Sequence, residues 1–239
     1  MELNSETLIG DIVAKNYRSA QVFKKHEIDF CCQGNRSISS ACKTLGISTN
    51  DLIEELTSLS EEVKEEENYQ EWEIDFLSDY IYNKHHQYVE SKIPVIKEYL
   101  SKISQVHGDN HPELYEIETL FKESADELSM HMKKEELLLF PYFKKLAKAS
   151  RGIEINSTLS FTSVESPIAM MHKEHDEEGD RFRKISVLSN QYTPPVDACN
   201  SYKVAFLLLK EFEEDLHKHI HLENNILFKK AIVIENSLN

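Results

Sequence analysis

Two segments of this chain repeat the same polar pair within runs that otherwise have the spacing of an apolar helix face. HMKKEELLLF begins at His131, and HIHLENNILF begins at His219, 88 residues later. In each segment the histidine lies four residues before a glutamate, Glu135 or Glu223, and nine before a phenylalanine. Because apolar residues continue these positions at steps of three and four, both polar side chains are predicted to face the core of a helical bundle.

The same spacing identifies a third histidine on an apolar stripe and a longer repeat. One predicted stripe reads Ile117, Phe121, Ser124, Leu128, His131, Glu135, Leu138 and Tyr142, and a later one reads Ile168, Met171, His175, Gly179, Phe182 and Ile185. His86 precedes His131 by 45 residues and His175 precedes His219 by 44, which indicates a duplicated helical hairpin. Periodicity alone leaves His85 and His86 as alternatives, and this spacing favours His86.

Buried carboxylates among histidines suggest a metal site. An ionised carboxylate buried without a partner costs several kcal/mol, and two of them would destabilise a marginally stable domain. Residues four apart on a helix have Cβ atoms about 5 to 6 Å apart, so each pair can share one ion while its carboxylate reaches a second. Iron, zinc, copper and manganese all accept such ligands, and analogy with other bundles favours non-haem di-iron. The alternative is a set of core histidines that are hydrogen-bonded to the glutamates.

Composition and periodicity predict an all-α protein. The 239 residues contain six glycines and six prolines, and long segments are rich in Glu, Lys, Leu and Ile. Helices are predicted at about 72–106, 112–149, 166–190 and 198–235, with a loop between the second and third. The short connections after the first and third helices are typical of an up-and-down four-helix bundle. The expected domains are a small helical N-terminal domain at 1–58, an acidic linker at 59–71, and the bundle at 72–239.

Charge and segment composition exclude several classes of partner. A net charge of −15 disfavours nucleic acid, and no apolar run approaches the roughly 18 residues of a membrane span. No signal peptide is recognisable and the four cysteines do not form a disulfide framework, so a cytoplasmic protein with reduced thiols is expected. His217 and His221 project away from His219 and are expected at the surface or behind the metal-binding side chains.

These residues, together with the segments IDFCCQG, ELSMHMKKEELLLFP, EHDEEG, TPPVDAC and HIHLENNILF, closely resemble the iron-sulfur cluster repair family of the ScdA and YtfE type. The resemblance covers essentially the whole chain and implies a haemerythrin-like bundle with two non-haem iron ions. The ligands it implies are His86, His131, Glu135, His175, His219 and Glu223. Glu135 and Glu223 are the expected bridges, with an oxo or hydroxo bridge beside them.

The resemblance also implies a function and further residues. Family members support recovery of iron-sulfur clusters damaged by nitric oxide or oxidants, by donating iron from a labile centre to the damaged proteins. Glu127 and Glu174 match carboxylates near a route to the centre, although a solvated helix face is an equal alternative for each. Cys31 and Cys32 are candidates for thiol or iron exchange, or for packing alone; at a helix start, their thiol pKa would be lowered. Gln33 replaces the first of two family glycines after this pair.

The sequence is also compatible with two other functions. One is a module that reversibly binds or senses oxygen or nitric oxide, although Gly179 stands where an oxygen carrier would have a second histidine. The other is a di-iron oxidoreductase that reduces nitric oxide or peroxide. The paired cysteines favour repair over gas binding, so a metal donor is expected rather than a turnover enzyme. A homodimer is left open.

Overall fold

The computed structural model describes residues 3–59, 68–153 and 163–238, and regular structure within these ranges is helical. Residues 60–67 of the predicted linker, and 154–162 between the second and third predicted bundle helices, lie outside the described residues. Four short helices come first: α1 (Ile9–Lys15), α2 (Ser19–Lys25), α3 (Ile38–Leu45) and α4 (Thr49–Ser58). They are followed by seven helical segments of the bundle: α5 (Ile74–Ile81), α6 (Gln87–His107), α7 (Glu113–Lys134), α8 (Phe140–Ser150), α9 (Glu165–Leu188), α10 (Asn200–Leu222) and α11 (Phe228–Leu238).

Three of the four bundle helices contain a short π-helical turn, which joins α5 to α6, α7 to α8 and α10 to α11. The turns span Tyr82–His86, Glu135–Leu139 and Glu223–Leu227. In each turn the carbonyl of the first residue accepts the N–H of the residue five positions later, as Glu135 does from Phe140. A π turn holds one residue more than an α turn and is common at functional sites.

One predicted core position, Leu138, is wrong because the second π turn contains an extra residue. Regular α spacing places Leu138 on the buried stripe, but Leu138 is 49% exposed and Leu139 is 2% exposed. The wider turn rotates the residues that follow Glu135, so Leu139 takes the buried position. The rest of the stripe, from Ile117 to His131, is buried as predicted.

The long helices run antiparallel to their neighbours, which confirms the predicted up-and-down bundle. Lys97 of α6 contacts Asp126 of α7, and residues nearer the turn, Ser104 and Leu114, are also hydrogen-bonded. The third bundle helix, α9, packs on α7, while α10 packs on α6. In the described part of the chain, no helix is both long and apolar enough to cross a membrane.

Among the residues that the structure describes, the core consists of two hydrophobic clusters, one on either side of the predicted His/Glu layer. The first hydrophobic cluster joins α1 to α4 with one end of the bundle and includes Phe23, Phe121 and Phe212. The second hydrophobic cluster fills the other end and includes Phe143 and Phe228. Apolar burial therefore stabilises each end of the bundle, and the polar layer lies between them.

The short N-terminal helices dock on the third π turn through a close backbone approach. Asn225 donates from Nδ2 to the carbonyls of Phe30 and Cys31, at 3.3 and 3.2 Å, and to His221 Nδ1 at 3.1 Å. A Cβ atom on Gly10 would lie 2.2 Å from Asn225 Oδ1, and one on Gly34 would lie 2.7 Å from it. Glycine is therefore required at both positions.

His221 contributes to the same contact and is not at the surface. It is 1% exposed, and its ring packs against Tyr17 and Phe30. Burial lowers its pKa to about 3, so the ring is neutral inside this interface. The structure therefore places His221 where it attaches the N-terminal helices to the bundle.

Replacing Gly10 with alanine is expected to destabilise this attachment by about 1 to 3 kcal/mol, because the new Cβ would overlap Asn225. The loss would be measured by denaturant unfolding and by the rate of proteolysis of the N-terminal helices. Combining Gly10→Ala with Asn225→Ala should cost less than the sum of the two single losses, since the smaller side chain removes the overlap. Simple additivity of the two losses would contradict the assigned contact.

Candidate metal centre

Six buried side chains meet between the two hydrophobic clusters and form two groups that could hold a metal ion. In the first group, called here the first half-site, the potential ligand atoms of His86, Glu135, His219 and Glu223 lie within 4.8 Å of one another. In the second half-site the same is true of His131 and His175 with the same two glutamates. Both carboxylates therefore belong to both half-sites.

The two carboxylates are buried with too few hydrogen-bond partners, which indicates a bound cation. Glu135 and Glu223 are both fully buried, and neither oxygen of Glu135 has a hydrogen-bond partner among the residues that the structure describes. Glu135 Oε2 lies 3.4 Å from Nε2 of both His86 and His131, and Glu223 Oε2 lies 3.2 Å from Nε2 of His175. Unpaired buried oxygens are costly, so these residues fit a bound cation better than a packed core.

Three of the four histidines are held by a partner at the nitrogen that faces away from the centre. Nδ1 of His86 donates to Glu136 Oε1 at 3.0 Å. Nδ1 of His131 donates to Glu174 Oε2 at 2.8 Å. These carboxylates can only accept, so in the neutral imidazole the opposite nitrogen, Nε2, keeps the lone pair that a metal ion would take. This is the arrangement by which outer partners orient metal-binding histidines.

The third oriented histidine is His175, whose Nδ1 donates to Asn224 Oδ1 at 2.8 Å. Its Nε2 lies 3.0 Å from Nε2 of His131, so both nitrogens of the second half-site converge on one point. His219 differs, because its Nε2 contacts Glu223 Oε1 at 2.9 Å while its Nδ1 is buried. All four Nε2 atoms therefore face the two carboxylates.

The charge balance of the six residues also favours cations. Burial lowers the pKa of His86, but Glu135 and Glu223 outweigh it and raise that pKa to about 10. Burial raises the pKa of Glu223, yet His219 and the other histidines hold it well below its usual value. In the absence of a metal, protons on the histidines compensate the carboxylates, and metal binding would release them.

The adjacent His85, which the periodicity left as an alternative to His86, lies outside both half-sites. Its Nδ1 contacts Asp215 Oδ1 at 3.0 Å, and its ring stacks on that of His219 with centroids 5.5 Å apart. It therefore supports a ring of the first half-site from behind.

A cavity of about 250 Å³ leads to the second half-site and is lined by acidic side chains. Glu127 and Glu174 both line it, as does Glu178, which the sequence did not single out. Glu178 is buried and accepts hydrogen bonds from Ser124 and Arg181. Glu127, which is half exposed, pairs with Arg181 at 2.7 Å. Glu174 therefore touches a histidine of the half-site directly, and Glu127 lies farther out.

Glu174→Gln is expected to weaken metal binding by roughly 10- to 100-fold, because an amide is a poorer acceptor for the Nδ1–H of His131. The hydrogen bond from His131 and the contact with Lys134 hold the pKa of Glu174 at about 2, so it is ionised at neutral pH. Affinity would be measured by competition with a chelator. Glu165→Gln is the matched control on the same helix, since Glu165 is exposed and does not line this cavity. Equal affinities in the two variants would exclude an orienting role for Glu174.

The paired cysteines lie beside the second half-site. Cys31 and Cys32 have sulfur atoms 3.7 Å apart, and Sγ of Cys32 donates to the carbonyl of His175 at 3.3 Å. Asn224 links the same elements, since its Nδ2 donates to the Cys31 carbonyl at 3.3 Å while its Oδ1 holds the ring of His175. The cysteine turn is therefore connected to a potential ligand through backbone and side chain.

The expectation of a lowered thiol pKa is wrong for Cys31. The following helix, α3, begins only at Ile38, so its N-terminus does not stabilise the thiolate. A hydrogen bond with the Cys32 thiol, together with burial, raises the pKa of Cys31 well above its usual value. Gln33 causes no strain in this turn, since it does not have a positive φ angle.

Comparison with known proteins agrees with this geometry. A profile described as a hemerythrin HHE cation binding domain matches residues 77–231, and one described as ScdA_N, a domain of unknown function, matches residues 5–60. The iron-sulfur cluster repair protein ScdA of Staphylococcus haemolyticus is 30% identical over 228 residues, which cover 95% of this chain and 99% of that protein. The iron-sulfur cluster repair protein YtfE of Yersinia pseudotuberculosis is 30% identical over 232 residues, covering 97% and 99%.

These matches extend over both the short N-terminal helices and the bundle, and they confirm the resemblance seen in the sequence. A profile for a cation-binding bundle coincides with the part of the chain in which the two half-sites lie. The chain therefore belongs to the ScdA and YtfE family of iron-sulfur cluster repair proteins, with a hemerythrin-like cation-binding domain.

Proposed function

We propose that the two half-sites hold two iron ions and that the protein donates iron to damaged iron-sulfur proteins. The ligands in this proposal are His86, His131, Glu135, His175, His219 and Glu223. The observation that carries it is the sharing of Glu135 and Glu223 between both half-sites, with both oxygens of Glu135 unpaired and buried. A carboxylate with two free oxygens can bridge two cations, and imidazole with carboxylate suits iron.

The structure supports donation because one half-site is connected to the surface. The cavity beside His131 and His175 is lined by Glu127, Glu174 and Glu178, whose oxygens can bind a leaving cation in turn. Lys134 and Arg181 contact these carboxylates and compensate their charge when no cation passes. Because this cavity reaches His131 and His175, iron would leave on the side of the second half-site.

The remaining parts of the proposal concern organisation and setting. Residues 1–58 would form a domain that presents Cys31 and Cys32, residues 59–71 a linker, and residues 72–239 the iron-holding bundle. The relatives' printed names describe repair of iron-sulfur clusters, and we place the same activity in this chain, acting on client proteins in the cytoplasm. Iron is the cargo in this activity, and the bundle is its carrier.

The test is anaerobic iron quantification followed by mixing with an iron-depleted cluster protein whose activity is lost. About two irons per chain, falling as the client recovers, are expected. Free ferrous iron at the same concentration serves as the control, because spontaneous repair must be slower than repair by the loaded chain. Two retained irons without client recovery would exclude donation and favour gas binding or reduction, and absence of iron would exclude the metal assignment.

A further inference from the structure

The Cys31–Cys32 pair is held in a fixed position by Asp29. Oδ1 of Asp29 accepts the backbone N–H groups of Cys31, Cys32 and Gln33 at 3.1, 2.9 and 3.3 Å. Oδ2 of Asp29 accepts from Arg183 at 2.9 Å, which anchors the turn to α9. The two sulfurs are thereby kept 3.7 Å apart, with Cys31 buried and Cys32 partly exposed.

The bundle leaves space for one of these sulfurs. Gly179 follows His175 by one helical turn, and a Cβ atom at this position would lie 3.2 Å from Sγ of Cys32. Gly179 is part of α9 and has no positive φ angle, so its absence of a side chain serves the close approach and not the backbone. An oxygen carrier would have a second histidine at this position. Here the absence of a side chain at Gly179 leaves space for the Cys32 thiol.

The charges around the pair argue against a third metal ion there. Asp29, Cys31 and Cys32 could in principle share an ion, since their ligand atoms lie within 4.8 Å of one another. However, Oδ1 of Asp29 already accepts three N–H groups, and Arg183 brings a positive charge to Oδ2. A cation would have to displace these contacts, whereas two neutral thiols fit them as they are.

We propose that Cys31 and Cys32 act as a two-electron donor to the metal pair held by the adjacent half-sites. Their two S–H bonds break and one S–S bond forms. One electron from each sulfur reduces one of two ferric ions to ferrous, and the two protons pass to water on the exposed side of Cys32. This inference rests on the proposed function and deepens it, because it names the built-in reductant that prepares iron for release.

The stoichiometry and position of the pair suit this role. A dithiol supplies two electrons, which is the number that two ferric ions accept. The sulfurs must close from 3.7 Å to about 2.05 Å, and because the two cysteines are adjacent in sequence, the ring formed by the disulfide also bends the peptide unit between them. Ferrous iron stands near the weakly bound end of the divalent metals, so reduction favours transfer to a client. The contacts of Cys32 and Asn224 with His175 put the thiols next to the half-site that opens to the cavity.

The experiment uses the full chain loaded with ferric iron under anaerobic conditions and freed of external thiols. Ferrous iron would be followed with a chelator, and free thiols by alkylation and peptide mass spectrometry. Two ferrous ions are expected to appear as Cys31 and Cys32 form a disulfide with each other and can no longer be alkylated. Cys31→Ser and Cys32→Ser should each lower the ferrous yield by about tenfold or more, since a single thiol cannot complete the disulfide. Cys42→Ser and Cys199→Ser are matched controls expected to behave as the parent chain.

A second arm needs no metal. A diazene thiol oxidant added to the metal-free chain should join Cys31 to Cys32 within one molecule, and Gly179→Ala should slow this closure. Ferric iron that persists while both thiols remain alkylatable would overturn the inference and leave iron donation intact. Disulfides formed only with Cys42, Cys199 or a second chain would also overturn it. A chain that takes up no iron would remove the proposed function and this inference together, and metal quantification identifies that case separately.

Discussion

Glu135→Met is expected to stabilise the metal-free chain and to abolish the additional stabilisation that iron confers on the parent chain. Both oxygens of Glu135 are buried without a hydrogen bond, so a similar apolar side chain removes a desolvation cost. The histidines that compensate Glu135 can lose their protons once the carboxylate is gone, so the buried charges disappear together and the free energy of unfolding of the metal-free chain should rise by about 1 to 4 kcal/mol. The same substitution removes a shared carboxylate, so the stabilisation that bound iron confers, about 2.7 kcal/mol at a hundredfold excess over Kd, should be lost.

Thermal unfolding of the metal-free and iron-loaded forms would measure both effects. Glu123→Met on the same helix is the matched control, because Glu123 is exposed and belongs to neither half-site. A more stable metal-free chain that no longer gains stability from iron is expected only if the Glu135 carboxylate binds metal. Loss of stability in the metal-free variant would instead show that Glu135 is a structural hydrogen-bonding residue, as in the alternative of a polar core.

Single substitutions at His131 and His219 are expected to remove one iron each. His131 belongs to the second half-site and His219 to the first, so each alanine variant should fall from about two irons per chain to about one. The double variant should bind none. Because the imidazoles are buried, the alanine substitutions also open cavities, and each metal-free variant should lose about 1 to 3 kcal/mol of stability.

Iron content would be measured by atomic emission and the remaining centre by absorption spectroscopy. His107→Ala is the control, since His107 lies at the other end of the bundle and contacts Cys199. Retention of two irons in both single variants would refute the ligand assignment. Loss of both irons in each variant would show that the half-sites fill only together.

The apolar periodicity predicted the helices and five of the six half-site residues because long, strongly patterned helices leave little ambiguity. His131 and Glu135 appeared on one stripe, and His175 on another, before any contact was known. His86 could be preferred over His85 only through the repeat spacing and the family resemblance. Periodicity could not separate them because a π turn occupies Tyr82–His86, where regular α spacing does not apply.

The residues that orient the site could not be predicted from the pattern. Glu136 and Asn224 each directly follow a half-site glutamate, and both lie in π turns, where the wider turn directs them toward His86 and His175. The prediction that Leu138 is buried was wrong because this residue also lies in a π turn. Glu178 is fixed by contacts with Ser124 and Arg181, which are distant in sequence. Such partners are selected by tertiary packing, which a single sequence does not display.

The division of the core into two hydrophobic clusters has a mechanical consequence. Apolar contacts are interrupted at the His/Glu layer, so the two ends of the bundle pack separately. Bound ions would link the two ends through their shared ligands and make them unfold as one cooperative unit. An iron-loaded chain would unfold in a single transition, whereas a chain that has given up its iron could open at one end first. Release of iron would therefore lower the local stability of the bundle, and proteases would cleave the iron-free chain faster than the iron-loaded chain.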